Sequence, residues 1–211
     1  VVPDALIFDL DGTLWDAAAA STFGWNLALE ELGESRRVTI DGIRSVSGQP
    51  FPRCVEILLP ELSPAPDSTL ALLEARERTG IELMAGVLYD GVADGLVRLS
   101  ARYPLFMVSN CPAWYLEAFF DAAGLRGCFS RWDCHGLSGI PKSEMLRDLA
   151  AAHHLARAVY IGDTQGDREA AEQAGMAFAF VQYGFGHVDE ARDAALLSFA
   201  TFGDLVEHYL T

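Results

Sequence analysis

The chain has 211 residues, 51% of them apolar, enough to bury a real core as one domain with an insertion or as two small domains. Fifteen Lys and Arg against 30 Asp and Glu leave a net charge of -15, which argues against nucleic acid or an anionic membrane surface as partner, since both need a basic footprint. No apolar stretch approaches the roughly 20 residues of a membrane span, the N-terminus reads as a strand rather than a signal peptide, and the cytoplasm is the expected location.

The first predicted element is the apolar run at residues 5–8, a buried strand that ends in Asp9-Leu10-Asp11-Gly12-Thr13. On a strand, residues two apart point the same way, and a glycine straight afterwards lets the chain turn sharply. Asp9 and Asp11 therefore emerge together at the carboxyl end of a strand, where open α/β sheets build their sites. Two such carboxylates repel by about 4 kcal/mol at ~4 Å in an effective dielectric near 20, so a fold keeps them close only when a cation or a shared proton compensates.

Residues 15–85 follow with helical patterns at 17–32, 52–59 and 67–79, the last with Asp67 as N-cap and Gly80 as stop. Some seventy helical residues are too many for an ordinary crossover. They are expected to form an inserted helical domain over the mouth of the sheet, with residues 1–14 and 86–211 as the α/β core and Gly86 and Gly91 near the return hinge. Then come a strand at 105–108, a helix at 112–123 closed by Gly124, a helix at 141–155, a strand at 158–161, a helix at 167–174 closed by Gly175, a strand at 177–181 and a last helix at 202–210. This alternation predicts a doubly wound, Rossmann-like parallel sheet with right-handed crossovers.

Further polar signals fall at later strand ends: Ser109-Asn110, Lys142 at a helix start, and Gly162-Asp163-Thr164-Gln165-Gly166-Asp167. Lys142 is the single lysine among fifteen basic residues, a place where a compact ammonium would serve and a planar guanidinium would not. Cys54, Cys111, Cys128 and Cys134 form no C-x-x-C pair and read as reduced, packed thiols. Gly184-Phe185-Gly186 reads as a plain loop, and His153-His154 as solvent-facing or packed on its helix.

In this order the motifs resemble those of the haloacid dehalogenase superfamily, in its phosphoglycolate-phosphatase-like branch, and the helical insert resembles that family's cap. The resemblance implies Asp9 as nucleophile and Asp11 as general acid and then base. It further implies Mg2+ held by Asp9, the Asp11 backbone carbonyl, Asp163 and Asp167, the last as ligand or as holder of metal-bound water. Ser109 and the Asn110 amide would hold the phosphoryl oxygens, and Lys142 would neutralise the phosphoryl group and Asp9. The family usually follows its lysine with proline, whereas here Pro141 precedes it and Ser143 follows. Within the cap, Ser47-Gly48-Gln49-Pro50 resembles the turn that such caps lower over the mouth, and Gly48 with Arg44 or Arg53 beside it is expected to meet the substrate. Trp15 would wall the pocket or sit in the core.

The expected activity is a Mg2+-dependent phosphatase acting on a small phosphorylated metabolite, as a monomer or homodimer. Asp11 argues against attack on carbon as in a dehalogenase, and a cap without lysine argues against a phosphonate hydrolase that needs a Schiff base. A phosphomutase remains an alternative, with Thr13 counting against it. So does a phospho-accepting switch that is not a turnover enzyme, against which Asp11 and the cap count. No cysteine precedes an arginine by six residues, no Arg-His-Gly occurs, and Lys142 lacks a glycine-rich approach.

Overall fold

The computed structural model describes residues 2–189 and 196–211. Its centre is a six-stranded parallel sheet of β1 (Leu6–Phe8), β4 (Leu105–Ser109), β5 (Phe129–Cys134), β6 (Val159–Gly162), β7 (Ala177–Val181) and β8 (Leu197–Phe199), in the order β5-β4-β1-β6-β7-β8. The expected doubly wound α/β core is what the chain forms. Strand alternation sorts its two faces. Leu6 and Phe8 pack with α5 (Val92–Ser100), α6 (Ala113–Ala123) and α10 (Phe202–Leu210), while Ile7, Phe106 and Tyr160 pack with α8 (Lys142–Ala152) and α9 (Gln165–Ala174).

The winding reverses at β1, which has β4 on one side and β6 on the other. Its last residue, Phe8, aligns with Met107 of β4 and Ile161 of β6. A parallel register carries that alignment forward, so Asp9, Ser109 and Asp163 leave three neighbouring strands at almost the same height. This is the switch-point crevice in which doubly wound sheets hold ligands.

Between β1 and α5 lies a two-stranded antiparallel ribbon, β2 (Trp15–Asp16) with β3 (Val87–Leu88), enclosing α1 (Ala18–Glu31), α2 (Ile40–Val46), α3 (Phe51–Leu58) and α4 (Asp67–Met84). These helices share an apolar cluster of their own, including Trp25, Leu29, Ile43, Val55 and Leu73. Gly80 is not a helix stop, as its residue type suggested. Helix α4 runs on to Met84, and a Cβ at Gly80 would stand 2.3 Å from the Ala20 carbonyl oxygen, just as one at Gly24 would stand 2.3 Å from that of Arg76. The two glycines let α1 and α4 cross with their backbones in contact. Helix α8 stops at Ala152, short of the expected 155, because His154 takes φ 56°. Helix α2, with a seven-residue run containing Asp-Gly, and β5, an edge strand carrying Ser130, Arg131 and Asp133, have patterns too short or too polar to stand out in sequence.

Candidate active site

Asp9 is 1% exposed at the end of β1, and its Oδ1 accepts a hydrogen bond from Lys142 Nζ at 2.9 Å. The same ammonium donates to Asp167 Oδ1 at 2.6 Å. Lys142 is the first residue of α8, and Pro141 as N-cap aims that helix so its opening residue reaches across to β1. The reversed Pro-Lys order therefore still brings the lysine to the acids. Burial pushes the Lys142 ammonium down, but Asp167 and Asp9 beside it outweigh that, and it is held above the usual lysine range.

Asp9, Asp163 and Asp167 offer carboxylate oxygens that all lie within 4.8 Å of one another. Burial raises Asp9 to about 6, with Lys142 drawing it down and Asp167 pushing it up. Burial also raises Asp163 to about 8, with Asp167 and Asp9 adding to the rise and the Gly186 and Phe185 amides opposing it. Those two amides donate to Asp163 Oδ2 at 3.0 and 2.7 Å, so the Gly184-Phe185-Gly186 segment does more than connect. Gly12, at φ 76°, is required here, since its Cβ would stand 2.2 Å from Asp163 Oδ2.

Asp167 also caps α9. Its Oδ2 accepts from the Thr164 amide and hydroxyl at 3.0 and 2.6 Å, and the Thr164 hydroxyl accepts from the Asp167 amide. The capping and the cluster roles coexist because each uses a different oxygen. What stays bare is informative. Among the described residues, Asp9 Oδ2 and Asp163 Oδ1 are buried with no hydrogen-bond partner. Hard carboxylate oxygens crowded this closely, two of them buried and bare, fit a divalent cation, which would balance their charge.

Asp11 lies apart from that triad. Its Oδ1 accepts from the Tyr115 hydroxyl at 2.6 Å, and burial raises it to about 7 against the lowering effect of that bond. Tyr115 belongs to α6 and has no motif to announce it. Ser109, 3% exposed, and Asn110 line a cavity of about 70 Å³ together with Asp11, Gly48 and Tyr115. The Asn110 side chain donates to the Gly48 carbonyl at 2.7 Å, which seats the cap turn on the core. Trp114 Nε1 donates to Glu74 at 2.7 Å as a second tie between the two.

The two cap arginines are placed differently from expectation. Arg53 is exposed, pairs with Glu56 at 2.7 Å and does not line the cavity. Arg44 also stays out of the wall: it pairs with Asp16 at 2.6 Å and lies over the Phe185 ring at 5.6 Å, tying α2 to the hinge ribbon. Each is held outside by an acid within reach, Asp16 for Arg44 and Glu56 for Arg53. Arg53→Ala is expected to leave the ratio of rates among phosphate esters unchanged within about twofold, since an exposed pair contributes little; steady-state kinetics on two esters check it. Trp15 is core, 1% exposed between Tyr115 and Phe119. His153 packs its ring on Phe106. The four cysteines are free thiols, and burial pushes Cys54 up to about 12.

Glu77 of α4, 8% exposed, also lines the cavity, and sequence reading passed over it. Burial raises it to about 7, while the neighbouring Ser21 and Trp25 side chains pull it down. Its only sequence signal is an acid on the inward face of a helix that otherwise buries Leu73 and Ile81. Below pH 4.5 Glu77 is neutral whether folded or unfolded; above that the unfolded chain ionises first, so the folded state loses stability as pH rises to about 7 and the loss then levels. Glu77→Gln is therefore expected to match the parent near pH 4 and exceed it by on the order of 2–3 kcal/mol at pH 8. Thermal denaturation across that range measures it.

A doubly wound α/β sheet here gathers buried acids and one ammonium at its switch point, with four helices inserted after its first strand. The chain belongs to the haloacid dehalogenase-like hydrolases, whose family model matches residues 3–175. It is 32% identical over 191 residues to a phosphoglycolate phosphatase of Rhodobacter capsulatus, covering 86% of this chain and 85% of that one. Against a phosphoglycolate phosphatase of Synechococcus elongatus it is 32% identical over 193 residues, with 86% and 84% covered. The fold matches that of a haloacid dehalogenase-like hydrolase from Streptococcus pneumoniae at TM-score 0.80 and 20% identity, over 99% and 98% of the two chains. Among the described residues, no helix is long and apolar enough to cross a membrane.

Proposed function

We propose that this hydrolase is a Mg2+-dependent phosphatase that cleaves a small phosphate monoester through an aspartyl phosphate on Asp9, with residues 15–85 acting as its cap domain. The observation that carries the reading is the state of the Asp9 carboxylate. Lys142 fixes one of its oxygens at 2.9 Å, and the other is buried and bare beside Asp163. With a cation on the bare oxygen, the oxygen that Lys142 orients would be the one to attack phosphorus.

In the first step an Asp9 oxygen forms a bond to phosphorus, the bond to the alcohol oxygen breaks, and Asp11 gives that oxygen its proton. In the second, water attacks phosphorus, Asp11 takes a proton from it, and the bond to Asp9 breaks to release phosphate. A carboxyl raised to about 7 by burial can serve both steps near neutral pH. Ser109 and Asn110 would hold phosphoryl oxygens from the end of β4, while Lys142 offsets charge on Asp9 and the transferring group. Asp9 and Asp163 would hold the metal through their bare oxygens and Asp11 through its backbone, with Asp167 as a further ligand or as holder of metal-bound water; bound there, Mg2+ would neutralise charge on the phosphoryl oxygens. The cap, seated through Gly48 on Asn110, keeps bulk water off the cavity.

The test is phosphate release from a panel of monoesters before and after chelation. Removing divalent cations is expected to abolish turnover, with Mg2+ restoring it and raising Tm at pH 8, as ligand linkage requires. Turnover that survives chelation intact counts against the metal assignment, and no release from any ester counts against the phosphatase.

A further inference from the structure

Of the motif residues, Asp11, Ser109 and Asn110 line the cavity and account for its phosphoryl side, which leaves its alcohol side unexplained. That side is built by the cap. Trp25, Ile43, Val46 and Phe51 give it apolar walls, and Glu77 is the acid the cap adds to them. Among the described residues, no arginine, lysine or histidine lines the cavity. The cap's six arginines are engaged elsewhere: Arg36 with Glu61, Arg44 with Asp16, Arg53 with Glu56, Arg76 with Glu31, Arg78 with Glu82, and Arg37 on the Glu34 carbonyl.

This inference rests on the phosphatase reading and deepens it. We propose that the cavity selects esters whose alcohol part is small, carries no second anion and presents a hydrogen-bond donor, a hydroxyl or an ammonium, to the Glu77 carboxyl, which makes Glu77 the specificity-determining residue. A carboxylate on the alcohol would lose its hydration there, meet no cation and face Glu77. A donor would instead add a partner to a carboxyl that burial has desolvated. The cavity is small, about 70 Å³, which favours a short alcohol. Phosphoglycolate, the substrate in the names of the relatives, carries the second anion that this wall rejects.

Three esters of one size separate the cases: phosphoethanolamine, 2-hydroxyethyl phosphate and 2-phosphoglycolate. In the parent protein kcat/KM for the first two is expected to exceed that for phosphoglycolate by about tenfold or more. Glu77→Gln is expected to shrink the ratio of phosphoethanolamine to phosphoglycolate by about tenfold, mainly through KM. Glu77→Asp, which keeps the charge, should retain the parent's order. Phosphoglycolate turned over as well as phosphoethanolamine, or a ratio that Glu77→Gln does not move, overturns the inference and leaves the phosphatase reading standing. If no ester is turned over, that reading falls, and calorimetric binding of the same three compounds decides the cavity: tighter binding of the two donor esters upholds the selection, and equal or tighter binding of phosphoglycolate overturns it.

Discussion

Asp9→Asn is expected to lower the rate of phosphate release by about 10⁴-fold or more, the scale on which removal of a nucleophile acts. That factor corresponds to about 5.5 kcal/mol of lost transition-state stabilisation. The substitution keeps the shape of the side chain and an acceptor for Lys142 at the same place, but the amide neither carries the charge nor attacks phosphorus. The fold should survive, because Lys142 retains its 2.6 Å bond to Asp167 and one buried acid is removed from a cluster in which burial already holds Asp9 at about 6. Single-turnover phosphate release measured beside Tm separates the outcomes. Residual activity within about a hundredfold of the parent would exclude Asp9 as the nucleophile.

Lys142→Met is expected to cost about 3–5 kcal/mol of stability at pH 8, the scale of stripping one partner from a buried ion pair. Methionine fills the space of the stem, but Asp9 and Asp167, each 1% exposed, would then face one another and Asp163 without a counter-charge. The pH dependence has a definite sign. Carboxyls whose folded pKa is raised bind more protons folded than unfolded, so the deficit grows as pH rises and shrinks as pH falls toward their unfolded values. Urea denaturation of parent and variant at pH 5 and pH 8 should therefore show the larger gap at pH 8. A gap of equal size at both would mean that lost packing, rather than uncompensated charge, sets the effect.

Sequence and structure agree most closely where a residue's role depends on its immediate neighbours. The run ending at Asp9 is a strand because four apolar residues precede the acids, Gly12 turns the chain because its φ is 76°, and Gly124 and Gly175 end helices in the left-handed conformation they favour. The edge strand β5 was hidden because half of it faces water, and Gly80 misled because a glycine that ends a helix and one that admits a neighbouring helix look alike in sequence.

The sequence by itself determined the parallel α/β class, the acids at strand ends and the solitary lysine, since each is written in local periodicity or residue type. Only the tertiary structure decided that Asp9, Ser109 and Asp163 stand side by side, because that follows from β1 lying between β4 and β6 in a particular register. It likewise decided that Tyr115 meets Asp11, that Glu77 walls the cavity and that Arg53 does not. Those contacts depend on how one helix face is rotated against another, and helix rotation is set by long-range packing that no short stretch of chain encodes.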